Sequence, residues 1–206
     1  MDYIPPERPA LIAQARDEER RGAGKICYTG QIDQMDLLDD FHSLGTFEDW
    51  DRQRKHGLKL GQYFPLCQSD DNQLTFYVQE HKPCSVPTFA AFRALTKLNR
   101  PDDPWLPEKQ IGLVTEILGD KLDKSKFDLK ARVDDVGGRK VLEVATISRQ
   151  KPTLVGRAYL VVSDAKNRVI EEIGFKGAKK ENRYWLDEAG SMLASVKFIK
   201  ESTQRP

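Results

Sequence analysis

The chain has 206 residues, long enough to bury a core without disulfides or metal, as one large domain or a domain with a smaller extension. Charged residues make up 32% and apolar residues 39%, and 18 aromatic residues are spread along the chain, which argues against wholesale disorder. The formal net charge is +1, with −2 on residues 1–100 (13 basic, 15 acidic) and +3 on the rest (20 basic, 17 acidic), so there is no global field for nucleic acid.

The N-terminal residues 1–24 read as a peripheral arm or surface helix. Pro5-Pro6 starts an extended segment, Asp17 to Arg21 are all charged, and Gly22 and Gly24 end it. The start of the chain has no apolar signal region, and no stretch approaches the roughly 18 apolar residues of a membrane span. Cys27, Cys67 and Cys84 are odd in number, far apart and without a CxxC, as expected of reduced thiols. These features predict a cytoplasmic protein with no membrane span.

Residues 25–206 read as one α+β domain. Ile32, Met35, Leu38 and Phe41 recur every three residues, which predicts a helix over Gln31–Phe41, with Asp33, Asp36, Asp39 and Asp40 on its other side. A second helix is predicted from Thr46, a candidate N-cap, through Trp50 to a stop at Gly57. Leu58 to Cys67 is less regular and is broken by Pro65. Leu74, Phe76 and Val78 alternate with Thr75, Tyr77 and Gln79, which is strand periodicity.

Pro87 begins a helix carrying Phe89, Phe92, Leu95 and Leu98 to about Asn99. Residues 100–107 contain three prolines and form a loop or internal boundary. Glu108–Leu118 fits a helix through Ile111, Val114 and Leu118, and a strand through Ile111, Leu113, Thr115 and Ile117; Gly119 tips it to helix. Between about residues 126 and 175, four β-rich runs separated by turns predict an antiparallel meander. Trp185, Ala189, Met192, Leu193 and Val196 then form a helix stripe, and Val196-Lys197-Phe198 begins a closing strand. The expected class is α+β, with helices packed on an antiparallel sheet and most helices in the N-terminal half.

The last 80 residues carry a resemblance. Paired strands pass through Gly137-Gly138, then Tyr159-Leu160-Val161-Val162, then Val169-Ile170-Glu171-Glu172-Ile173, and a helix closes on Ser195-Val196-Lys197-Phe198. This ending resembles the Mog1/PsbP-like α/β/α sandwich family. The resemblance implies a non-enzymatic binder, in a family that includes a nuclear-import factor, photosystem subunits and adaptor chaperones for secreted bacterial effectors. It covers under half of the chain, and no functional residue is carried over from it.

Motifs for chemistry are sparse. His81-Lys82-Pro83-Cys84 has one close H-x-x-C pair where a structural zinc uses about four ligands, so neither metal nor cofactor is expected. Thiol chemistry would use Cys84 as nucleophile and His81 as base. No G-x-S-x-G elbow occurs, and Gly22-Ala23-Gly24-Lys25 has Ile26 where a phosphate loop needs Ser or Thr. A nucleic-acid contact would use Lys176, Lys179, Lys180 and Arg183, with Arg149, Lys151 and Arg157 on the same sheet and Tyr159 and Tyr184 nearby, but Glu171, Glu172 and Glu181 interrupt that cluster.

The sequence therefore points first to a module that binds another protein. One version is a toxin-immunity protein that presents Asp36, Asp39, Asp40 and Trp50 to its partner. The other is an effector-loading chaperone with an apolar groove on its sheet. A Cys-dependent hydrolase or transferase is the first alternative and a nucleic-acid binder the second.

Overall fold

The computed structural model describes residues 25–29, 31–44, 63–70, 72–98, 105–118, 125–150, 154–178 and 184–199. In chain order these form β1 (Lys25–Thr29), β2 (Ile32–Asp36), β3 (Phe41–Ser43), β4 (Tyr63–Ser69) and β5 (Leu74–Glu80). Helices α1 (Val86–Leu95) and α2 (Glu108–Leu118) follow, then β6 (Phe127–Val136), β7 (Arg139–Ser148), β8 (Leu154–Asp164) and β9 (Val169–Ala178). Helix α3 (Tyr184–Ala194) and β10 (Lys197–Phe198) complete them. The predicted N-terminal arm, the helix from Thr46 with Trp50, and residues 100–104 lie outside the described residues.

The fold is α+β. Seven strands form an antiparallel sheet in the order β3-β4-β5-β9-β8-β7-β6, and β1-β2-β10 form a smaller one. Strands β6 to β9 are the predicted meander, each paired with the next. Its first hairpin is fixed by Gly137-Gly138, with φ of 58° and 80°, between the paired residues Val136 and Arg139. A two-residue loop with positive φ at both positions matches the twist of the flanking strands, and glycine adopts it without a Cβ penalty. Strand β5 comes from far back in the chain and pairs with β9 along its whole length, Leu74 with Gly177 through Glu80 with Glu171.

Strand alternation gives the large sheet two apolar faces. Phe76, Val78, Tyr159, Val161, Ile173 and Phe175 pack on one side with Ala189, Met192 and Leu193 of α3 and with Ile32 and Met35 of β2. Ala131, Leu142, Val144, Leu160 and Ile170 pack on the other side with α1 and α2. Helix α1 starts where expected: the Ser85 side chain accepts from the Thr88 backbone N–H at 3.3 Å, and Pro87 sits in the first turn. Phe89, Phe92 and Leu95 then face the sheet. Glu108–Leu118 is a helix, burying Ile111, Val114, Ile117 and Leu118. Each such side chain contributes about 1.5–3 kcal/mol on burial.

Several expectations are corrected. Gln31–Phe41 is not a helix but strand, turn and strand. Ile32 and Met35 are both fully buried although they point to opposite faces of β2, because this is the middle strand of the small sheet and lies inside the core. The three-residue spacing therefore arose from a bend between two strands. The stretch around Pro65 is β4, which keeps its pairing with β5 through a register shift between Pro65 and Cys67. Among the described residues the first half supplies β1 to β5 and α1, and α2 and α3 lie in the second half; the helices predicted before residue 25 and from Thr46 lie outside the described residues. The closing strand forms, but it pairs with β2 and not with the large sheet.

Candidate functional site

The face under α1 and α2 is not covered evenly. Toward the Leu74 end of β5 a groove of about 520 Å³ runs across β5, β9, β8 and β7. Its floor is shallow in side chains. Gly156 and Gly177 line it, and Gly174, between Tyr77 on β5 and Ala158 on β8, keeps these strands close, since a Cβ there would stand 2.5 Å from the Ala158 Cβ. Gly156 lies one strand over, where a Cβ would stand 2.7 Å from the Thr146 hydroxyl. Glycine inside a strand marks such close approach.

One wall is aromatic. The Tyr63 and Tyr77 rings are 4.8 Å apart at 31°. The Lys176 Nζ lies 4.0 Å from the Tyr63 centroid and 5.2 Å from that of Tyr77, within cation–π range. Leu118, Phe127 and Val144 form the facing apolar lining, with the Thr75 and Thr146 hydroxyls at the margin.

The single carboxylate among the described lining residues, Glu172, is held on both oxygens. The Tyr77 hydroxyl donates to Oε1 at 2.5 Å, and His81 Nε2 meets Oε2 at 2.8 Å. His81 and Tyr77 are themselves buried. Burial, then the nearby Glu172 charge, pushes the Tyr63 phenol up to about 12. Burial, with Glu172 adding to it, also raises the Tyr77 phenol well above its ordinary value. Both tyrosines are therefore neutral hydrogen-bonding walls at neutral pH.

The sequence-predicted residues are distributed as follows. His81 is buried behind Glu172, and its ring bond goes there rather than to Cys84. Cys84 belongs to the cluster beneath α1 and α2, and its backbone is clasped to Arg168 in both directions, at 3.0 and 2.9 Å. Burial raises the Cys84 thiol, Glu116 adds to the rise, and Arg168 opposes it. Asp36, Asp39 and Asp40 are exposed at the end of β2 and the turn after it. There Asp40 lies close enough to Glu188 of α3 to help raise that carboxyl, after burial. Trp50 lies outside the described residues.

Lys176 is in the groove, while Lys179, Lys180 and Arg183 lie outside the described residues. Arg157 lines the groove between Gly156 and Ala158, but its side chain, like that of Tyr159, reaches the α3 face rather than Lys176. Arg157 instead pairs with Glu143 there, and Tyr159 is 2% exposed. Arg149 pairs with Asp128 at 2.8 Å. The sequence reading missed Tyr63, Tyr77, Glu172 and the glycine floor. The available signals were the Thr75, Tyr77, Gln79 face of β5 and the two glycines within β-rich runs.

Among the described residues no His, Cys, Asp and Glu group is arranged to hold a metal ion, and no helix is long and apolar enough to cross a membrane. No protein-family model matches the chain, and no curated protein is detectably similar to it.

Proposed function

We propose that this is a non-enzymatic protein-binding module that works through the groove on its sheet, as an effector-loading chaperone would. The observation that carries this reading is the state of Glu172. Both of its oxygens are already bonded, to Tyr77 and His81, inside a groove of about 520 Å³. What the groove offers an incoming group is therefore chiefly aromatic wall, apolar lining and a low floor. Such a surface takes an apolar or aromatic side chain of a partner, with affinity from buried area. The resemblance of the last 80 residues to the Mog1/PsbP-like adaptor chaperones points the same way, and the complex would form in the cytoplasm.

The immunity-protein version keeps a separate observation in its favour, the exposed Asp36, Asp39 and Asp40, the last of them near Glu188. A photo-crosslinking residue at Thr75, expressed in the native host, separates the two. Covalent capture of one polypeptide at Thr75, lost when Thr146→Trp fills the groove, is the expected result. Capture only from position 39 or 40 moves the assignment to the acidic face. A small-molecule adduct at Thr75 rejects the protein-binding reading. The Cys-dependent alternative is addressed by Cys84→Ala, and the nucleic-acid alternative by salt-dependent binding of random oligonucleotides.

A further inference from the structure

Glu171 adjoins Glu172 in sequence but points to the opposite face of the sheet, toward α3 and the small sheet. It is fully buried. Its Oε1 accepts the backbone N–H of Gln31 at 2.8 Å, and its Oε2 is buried with no hydrogen-bond partner. The nearby Ser163 hydroxyl is buried and unpartnered as well.

Gln31 stands immediately before β2, and its polar groups join the two sheets. Its carbonyl accepts from Ile199 N–H at 3.0 Å, just beyond β10. Its side-chain Oε1 accepts from Arg139 Nη1 at 3.1 Å, and its Nε2 donates to the Ser163 carbonyl at 3.4 Å. Arg139 Nη2 in turn donates to the Val162 carbonyl at 2.6 Å. The residue that leads into the small sheet thus touches β7, β8 and β9.

A buried carboxylate with one N–H donor is poorly compensated when ionised. Two charged groups act on Glu171. Glu80, its cross-strand partner on β5, repels the anion, and Arg139 on β7 attracts it. Gln31 faces it without charge. Burial dominates and pushes the carboxyl up to about 8, against the Gln31 N–H bond and Arg139.

We propose that the Gln31–Glu171 contact is a pH-sensitive latch: neutral Glu171 seats the three-stranded sheet on the large sheet, and loss of its proton to solvent unseats it. Ile32 and Met35 follow Gln31 in β2 and are fully buried, so unseating exposes apolar core. This latch is independent of the groove, which lies on the other face.

The test is amide hydrogen exchange on the full chain, corrected for intrinsic chemical rates, in wild type and Glu171→Gln. The intrinsic-rate-corrected exchange of the Gln31 amide should rise in wild type by up to about tenfold per pH unit from the ordinary carboxyl range to about pH 8, and level off above it, where the carboxyl is ionised in both states. In Glu171→Gln, which keeps the acceptor and cannot ionise, the rate should stay level, as should that of Leu160 in both proteins. The same rise in both proteins, or none in wild type, overturns the latch. Should the variant not fold, carboxyl-carbon NMR of wild type decides. A Glu171 midpoint near 8 that tracks the Gln31 amide supports the latch, and one in the ordinary carboxyl range overturns it.

Discussion

The Tyr77 hydroxyl and the Glu172 carboxylate meet at 2.5 Å across neighbouring strands, although 95 residues separate them in the chain. This bond and the His81 bond fix the carboxylate that sets the polarity of the groove. Tyr77→Phe removes a hydrogen bond to a charged group in a partly buried site, at a cost of roughly 1.5–3 kcal/mol. Urea unfolding should show that loss with an unchanged m-value. Partner binding should weaken too, because Glu172 regains a free oxygen in the groove.

Tyr63 titrates late. Its phenol is raised from 10.0 to about 12, by burial first and Glu172 second. Because the folded value lies above the unfolded one, this stabilising contribution is complete below about pH 10 and is lost as pH rises through about 12. Ultraviolet titration of wild type against Tyr63→Phe isolates the Tyr63 component. In Glu172→Gln its midpoint should move down, since the carboxylate that opposes ionisation has gone. An unchanged midpoint assigns the whole rise to burial.

Two glycines should respond oppositely to alanine. Gly174 has no room: its Cβ would press on Ala158, and Gly174→Ala should cost about 1–3 kcal/mol through overpacking. Gly112, exposed within α2, has nothing within 4 Å of a Cβ. Gly112→Ala should therefore stabilise by about 0.5–1 kcal/mol, since glycine carries an entropic penalty in a helix. Thermal melts of the two variants would show the opposite signs, at roughly 2–4 °C per kcal/mol for a chain of this size.

On the α3 side, Glu143 is 2% exposed and bonded to both Arg132 and Arg157, while the two arginine side chains are 30% and 33% exposed. The geometry is asymmetric. Glu143→Ala leaves two cations that reach water, whereas Arg132→Ala with Arg157→Ala leaves a buried carboxylate unpaired. The double arginine variant should lose roughly 3–5 kcal/mol, and Glu143→Ala clearly less. Denaturant melts of the two proteins give the comparison, and equal losses would mean that the arginine stems dominate through packing.

Thiol labelling distinguishes the cysteines in a Cys27→Ser background. Cys67 is fully buried, and burial holds its thiol far above the ordinary range. Cys84 is 9% exposed and raised less. Both should resist a disulfide reagent at neutral pH in the folded state, with Cys84 reacting first. Rapid stoichiometric labelling of Cys84 would instead revive the thiol-chemistry alternative.

Local rules written into the sequence determined much of the fold. The alternation in residues 127–175, the Gly137-Gly138 turn, the Pro87 start of α1 and the buried Ala189, Met192 and Leu193 of α3 each depend on neighbours within a few residues, and each appears as read. Glu171 and Glu172, read together in the sequence as one acidic pair, face opposite sides of the sheet in the structure. Tertiary structure alone decided what each face meets. The 31–41 segment has a helical spacing, yet forms strands because its apolar residues are buried by β10, α3 and the large sheet. The groove exists because β5 pairs with β9, which brings Tyr77 beside Gly174 and Glu172. Side-chain period reports which residues share a face, but it carries no information about the distant strand laid next to that face, and both the Glu172 site and the Glu171 latch are made by such long-range pairings.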